Sequence, residues 1–427
     1  MKKFFALLLT MAMVLSLVAC GGKTGAEDTP KTEDTPKTED TQKTEDTGDN
    51  TVKVGVLMPF SGTSARQGEV ARMGIDMAVE EINSAGGIAS MGGAKIEVIY
   101  ADSQSDATVG VTETEKLISV EKVDLLLGSF NSAVTLPCSA VAEKNQIPWI
   151  VNSATSDAIT EQGNKYTFRA YYVNSTGTDQ EVQMVRDLGE AQGEPIKTVS
   201  IFYEDTEGGQ TWAAGIRTAC EKYGMEIVFD EGYPAGSTDF TTPVMKIKNA
   251  NADAVLDFSY TSEAILFAQA MVDMEVNPKL LVGWGGHTSP EFTENDFAEG
   301  WISMQSWCDD MNDPDSLAFV ENHKEIYGED PEPVAANAYN DLWMIKEILE
   351  ASGSAEAEAV REACLNIEID GGKANIVKGT GPVVFDTNGQ NPNASQMGAQ
   401  YIEGKFRSVW PVEYASADYN LIWPYGG

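Results

Sequence analysis

Two short polar loops carry the side chains best suited to hold something small. Ser129-Phe130-Asn131-Ser132 follows the apolar run Val123–Leu127 and Gly128, and Asn152-Ser153-Ala154-Thr155 follows Trp149-Ile150-Val151. Both runs have the length and composition of buried strands. Between them, Val134, Ala140, Val141 and Ala142 have helical spacing until Pro148 punctuates the stretch. In a parallel α/β sheet both loops fall at strand carboxyl ends and face one crevice. Hydroxyls gathered there with the free amides of a helix start form a clamp for an anion or a carboxylate. The plainer role for each Ser and Thr is helix capping. Catalysis is poorly supplied: the two histidines, His287 and His323, lie outside these loops, and no GxSxG, HExxH, GxGxxG or Walker sequence occurs. No cofactor, metal or enzymatic activity is expected.

The elements that position these loops follow a repeating grammar. Val52–Pro59 reads as a buried strand, then a loop to Gly68, then a helix with Val70, Met73, Ile75, Met77, Ala78, Val79 and Ile82 on its apolar face, closed by Asn83–Gly87. Lys95–Tyr100 alternates as a strand and Ala107–Val120 is the next helix. A second series begins after Phe168-Arg169-Ala170-Tyr171-Tyr172. Its helices are placed at 178–192, 212–223, 240–250 and 262–274, and its strands at 198–203, 226–230, 254–258 and 280–283. The last strand runs into Gly283-Trp284-Gly285-Gly286. Pro331–Ser352 is a long helix, and Gly381–Asp386 and Tyr401–Val409 read as strands. The expected fold is α/β, with two doubly wound parallel-sheet lobes and a ligand cleft between them.

The chain starts with Lys2 and Lys3 ahead of the apolar run Phe4–Val18, the pattern of a signal peptide and too short for a comfortable span of about 20 residues. It ends in Leu17-Val18-Ala19-Cys20, which resembles the bacterial lipobox, with Cys20 as the lipidated residue. Residues 23–50 drift around a Lys-Thr-Glu-Asp-Thr-Pro repeat with almost no apolar side chain, a tether that cannot bury a core. The whole chain has 66 acidic and 29 basic side chains, a formal charge of −37. That excludes a nucleic-acid surface and leaves the lipid anchor as the only membrane contact. Beyond Cys20, Cys138, Cys220, Cys308 and Cys364 are widely spaced without CxxC, so two disulfides or four buried thiols fit equally.

Three blocks in order then carry a family likeness: GVLMPFSGTSARQGEVARMGIDMAVEEINSAGGI, YADSQSDATVGVTETEKLIS and VDLLLGSFNSAVTLPCSAVAEKNQIPWIVNSAT, with TFRAYY, AYNDLW and GPVVFDTNG later. Residues 52–410 resemble the branched-chain amino acid binding proteins of the periplasmic-binding-protein type I group. The resemblance implies two lobes joined by three crossings, hinge closure on a ligand, and delivery to the permease of an ABC importer. It implies these roles for Ser132 (hydroxyl to the ligand carboxylate), Ser153 (backbone groups) and Thr155 (carboxylate and ammonium). Tyr260 matches a tyrosine of the second lobe that covers the ligand, and Gln67 stands where an aromatic residue often meets its side chain. Phe130, Asn131 and Ala154 share the two loops, and Tyr171 and Asp179 lie about the first crossing.

Two departures stand out. Glu207-Gly208-Gly209 replaces a Tyr-Gly pair, and Gly285 falls where an acid usually balances the ligand ammonium. A buried ammonium without a counter-charge costs several kcal/mol. Either Glu204 or Asp205 substitutes, or the ligand has no α-ammonium and Trp284 and Phe130 give it an apolar wall. The expected organisation is a signal peptide (1–20), a tether (21–50), lobe I (51–172), lobe II (173–302), a return to lobe I (303–385) and a return to lobe II (386–427). The expected protein is a monomer lipid-anchored on the outer face of the bacterial cytoplasmic membrane, capturing an amino acid or similar small carboxylate. A des-amino carboxylate or amide, or a ligand-sensing receptor subunit, is the alternative.

Overall fold

A computed structural model describes residues 50–426 apart from 312, 378, 380, 412–414 and 416–419. The signal sequence, Cys20 and the tether lie outside the described residues. Parallel strands need crossovers, and the first lobe alternates accordingly. In order it comprises β1 (Thr51–Met58), α1 (Ala65–Ser84), β2 (Lys95–Asp102), α2 (Ala107–Lys116), β3 (Leu125–Gly128), α3 (Ser132–Asn145), β4 (Trp149–Val151), α4 (Ala158–Glu161) and β5 (Thr167–Arg169). The five strands are all parallel, in the order 2-1-3-4-5. Val54, Val56, Leu125, Leu126 and Ile150 are fully buried because helices cover both faces.

The second lobe runs α5 (Asn174–Ala191), β6 (Thr198–Glu204), α6 (Glu207–Tyr223), β7 (Glu226–Tyr233), α7 (Thr241–Ala250), β8 (Ala254–Ser259), α8 (Thr261–Asp273), β9 (Leu280–Gly285), α9 (Pro290–Thr293) and β10 (Ile302–Gln305). The chain then gives α10 (Pro314–Tyr327), α11 (Pro333–Ser352) and α12 (Ala357–Asn366) to the first lobe, where α11 packs along α1. The hairpin β11 (Met397–Ile402) and β12 (Lys405–Trp410) completes the second sheet, in the order 12-11-10-9-8-6-7.

Three expectations need correction. The second sheet is mixed rather than purely parallel, since β11 runs antiparallel to both β10 and β12. Residues 303–305 belong to this sheet and not to the return, because β10 is hydrogen-bonded between β9 and β11. Gly381–Asp386 forms only an isolated bridge, Val383 to Ile369, and the Asp386 carboxylate then turns the chain by accepting from the amides of Asn388 and Gln390. The structure also adds α10 and α12, for which the sequence reading had no element.

The chain crosses between lobes at 169–174, 305–314 and 390–397. The first and third crossings lie side by side: Gly389 O accepts from Arg169 N at 2.8 Å and Arg169 O from Asn391 N at 2.9 Å. The second is tied to α11 by Ser306 Oγ on Asn337 Oδ1 at 2.7 Å. Cys138, Cys220, Cys308 and Cys364 are buried and unpaired, which settles the choice between disulfides and thiols. No helix among the described residues is long and apolar enough to cross a membrane.

Candidate functional site

Adjacent strands bring the two polar loops together. β3 pairs with β4, so the loop before α3 and the loop after β4 lie next to each other at the carboxyl ends of the sheet. Asn131, not Ser132, holds the capping position of α3, and its side chain makes no capping bond there. The Ser132 hydroxyl instead reaches across to the second loop and accepts from the amides of Thr155 and Ser156, each at 3.2 Å. An oxygen that accepts twice still has a proton to give. Ser132, Ser153 and Thr155 all line one cavity, so that proton is available to an anion in it.

The second loop is held from behind by groups distant in sequence. Arg169 is fully buried, and its guanidinium donates to Ala154 O (2.8 Å), Ser156 O (2.9 Å), Thr160 Oγ1 (3.0 Å) and Gln390 Oε1 (2.8 Å). Burial lowers its pKa to about 10, which leaves it charged at neutral pH. Asn152 Nδ2 donates to Asp341 Oδ2 at 2.7 Å, while Ser153 Oγ donates to Asn152 Oδ1 and accepts from Asn337 Nδ2. Burial raises Asp341 to about 8, against the pull of Asn152 and Asn340. With the Ser153 side chain committed to this network, its backbone is what remains for the cavity.

The second lobe contributes rings. Tyr260 precedes α8 and meets Phe130 of the first lobe, centroids 5.6 Å apart and tilted 59°. Phe258 and Trp284 stand beside it, and Trp284 Nε1 donates to Tyr172 Oη at 2.8 Å. Tyr171 stacks at 4.1 Å on Tyr172 and donates to the same oxygen. Burial, with Glu204 and Glu263 nearby, pushes the Tyr260 hydroxyl upward, so it stays a donor. A Cβ at Gly208 would sit 3.4 Å from both Ser132 Oγ and Tyr260 Oη, so these two hydroxyls converge where the lobes meet. The lobes also touch through Ser156 Oγ donating to Glu207 Oε1 at 3.0 Å, and Arg66 lies 3.9 Å from Glu291. This is a closed cleft.

Among the described residues, no charged side chain lines the cavity; Thr288, Ser303 and Gln305 complete its polar wall. Gly285 lies at φ +98°, and a Cβ there would stand 2.6 Å from Ser259 O, so an acid cannot replace it without strain. Neither expected substitute reaches the wall. Asp205 is exposed and accepts from Gln210 Nε2 at 2.8 Å. Glu204 is buried behind the wall, raised to about 7 by burial and by Glu263.

Of the other expected residues, Phe130, Tyr171, Tyr260, Trp284 and Gly285 line the cavity. Gln67, Asn131 and Ala154 do not: Gln67 is buried at the start of α1, Asn131 Nδ2 donates to Ser64 Oγ, and the Ala154 carbonyl serves Arg169. Asp179 faces outward on α5 and pairs with Lys222 at 2.7 Å. The sequence reading missed Tyr172, Phe258, Thr288, Ser303 and Gln305 on the wall, and Arg169 and Asp341 behind it. Arg169 had a readable signal, a lone cation inside the apolar run Thr167–Tyr172.

Two α/β sheets whose carboxyl ends close on one cavity, linked by three crossings, define a solute-binding protein of the type I periplasmic architecture. The chain belongs to the Periplasmic binding protein family, whose model matches residues 51–405. It is similar to the Leu/Ile/Val-binding protein homolog 7 of Brucella abortus (strain 2308), 31% identical over 381 residues, covering 87% of this chain and 94% of the relative. Among solved structures it resembles LivJ of Streptococcus pneumoniae in complex with isoleucine, at 25% identity and a TM-score of 0.73, covering 84% of this chain and 99% of that one. It also resembles a solute-binding protein of R. palustris in complex with benzoate, at 22% identity and a TM-score of 0.75, covering 86% of this chain and 98% of that one. The second likeness is one of fold alone.

Proposed function

We propose that this chain is the lipid-anchored receptor of an ABC importer and captures a small carboxylic acid that has no α-ammonium, such as an aromatic or keto acid. One observation carries the ligand class: the cavity combines a donor clamp at Ser132 and the loop to Thr155 with walls that, among the described residues, hold no charged side chain. The clamp suits a carboxylate. The rings suit an apolar body. An α-ammonium between them would lie buried without a counter-charge, at a cost of several kcal/mol. Lobe closure then excludes water, and the closed form is what the permease recognises. Anchoring falls to Cys20, on the outer face of the cytoplasmic membrane, and the receptor works as a monomer.

A branched-chain amino acid is the second reading, favoured by the names of the curated relatives. Glu204, just behind Tyr260, would then have to supply the counter-charge. A thermal-shift panel separates the two, because a ligand at 100 times its Kd stabilises the fold by about 2.7 kcal/mol. Benzoate or 4-methyl-2-oxopentanoate raising Tm while leucine and isoleucine do not is the expected result. A shift with leucine, lost in Glu204→Gln, overturns the des-amino assignment. For the anchor, Cys20→Ala is expected to move the protein from the membrane to the soluble fraction; unchanged fractionation removes the lipid from the proposal.

A further inference from the structure

The cleft continues past the aromatic cavity. Thr288, Gln305 and Pro333 line that cavity and also a second hollow, walled by Trp307, Tyr401 and Phe406. Ser303, Met304 and Gln305 at the end of β10 line the first, and Gln305, Trp307 and Cys308 the second, so the chain leaving β10 borders both.

The second hollow differs from the first in charge. Asp309, Asp330 and Glu332 line it, with Lys405 as the one cation of its wall among the described residues. Lys405 lies 3.7 Å from Asp330, which Lys324 also meets. Glu332 Oε1 takes Arg66 at 2.9 Å, while Glu332 Oε2 is buried with no hydrogen-bond partner among the described residues. Asp309 is half-buried, with Lys405 and Arg407 the cations whose charge acts on it. Gln305, 3% exposed, has an amide nitrogen with no hydrogen-bond partner among the described residues. Two buried polar atoms thus stand unsatisfied among the described residues where the hollow shares Thr288, Gln305 and Pro333 with the ligand cavity: a carboxyl oxygen of Glu332, and an amide donor of Gln305 that suits a ligand oxygen rather than a cation. Such atoms cost stability unless something meets them.

We propose that the second hollow receives a cationic group at the far end of the ligand, so that the cleft takes an elongated molecule with a carboxylate at Ser132 and an ammonium or guanidinium beside Asp309 and Glu332. This deepens the carboxylate reading and rests on it. The counter-charge missing at Gly285 is then supplied at the other end of the cleft by Asp309, since burial raises Glu332 to about 8 and Arg66 already meets it. An ω-amino acid has this chemistry; an α-amino acid with an uncharged side chain does not.

Matched probes test it by calorimetric titration of the purified full-length protein: 6-aminohexanoate against hexanoate, and 4-(aminomethyl)benzoate against 4-methylbenzoate. The aminated member of at least one pair is expected to bind about tenfold tighter or better, as a hydrogen bond to a charged group allows. Asp309→Asn is expected to erase that advantage and leave the affinity for the parent acid unchanged. Equal affinities within both pairs, or an advantage that survives in Asp309→Asn, overturn the proposal. If the parent acids bind through Ser132 while amination gains nothing, the carboxylate reading stands and this one falls. If no probe binds at millimolar concentration, both fall.

Discussion

In the first lobe, the loops after β3 and β4 bring a hydroxyl and backbone groups to the cavity; in the second, β8 and β9 bring Tyr260 and Trp284. These positions correspond, because the strand order 2-1-3-4-5 of one sheet matches 7-6-8-9-10 in the other. One topology therefore presents donors on one side and rings on the other. The donor side is fixed from within its own lobe, by Arg169 and Asp341, and can hold a carboxylate before closure. The ring side packs mainly within its own lobe and meets the other through Tyr260 on Phe130, so that contact is made when the lobes close.

The comparison breaks most directly at Arg169. Arg169→Met leaves the carbonyls of Ala154 and Ser156 without their buried donor and is expected to cost about 1–3 kcal/mol of stability for each, by chemical denaturation. An effect below about 1 kcal/mol would mean that the donor loop holds its own shape. Next comes Ser132→Ala. Loss of a hydrogen bond to a charged group is expected to weaken carboxylate binding by about 1.5–3 kcal/mol, seen by titration. The empty protein should also lose a little stability, because the Thr155 and Ser156 amides lose their acceptor. On the ring side, Tyr260→Ala is expected to cost about 0.5–1.5 kcal/mol of affinity beyond its lost burial, from the contact with Phe130, and Tyr260→Phe less. A larger loss in Tyr260→Phe than in Ser132→Ala would reverse the assignment of the two lobes.

A smaller effect sharpens the comparison through pH. Each lobe has a buried acid raised to about 8 by burial: Asp341 behind the donor loop, and Glu181, which accepts from Trp212 Nε1 at 2.9 Å. Both keep a proton in the folded chain where the unfolded chain has lost it. Their contribution is therefore whole below the ordinary carboxyl range of about 4 and is lost as pH rises toward 8. Glu181→Gln is expected to flatten that part of the stability–pH curve, measured by denaturation at stepped pH. An unchanged slope would remove Glu181 from it.

The donor side was the more legible in sequence because it is local: strand, loop, helix, strand and loop lie within residues 123–155. Tyr260, at the end of an apolar strand, was legible only through the family resemblance. Asp341 was not legible, since it meets Asn152 across 189 positions and only because α11 returns to the first lobe. α10 escaped notice because its pattern is blurred, with Leu317 and Ile326 exposed. Gly381–Asp386 misled in the opposite way: its β-branched residues suit a strand, but only a single bridge is available to pair with them. The departure at Gly285 could be read directly, whereas the orientation of Asp205 away from the cleft could not.

The four buried thiols have a practical consequence. Burial pushes Cys138 to about 11 and Cys220 to about 12, and raises Cys308 and Cys364 as well, so none offers a thiolate to an alkylating dye at neutral pH. In a Cys20→Ala background, a cysteine introduced at the exposed position of Asp205, one residue beyond β6 and just before α6, would be the single labelled site. A fluorophore there sits on the segment that meets Ser156 when the lobes close. The protein is thereby already prepared as an optical reporter of its own ligand.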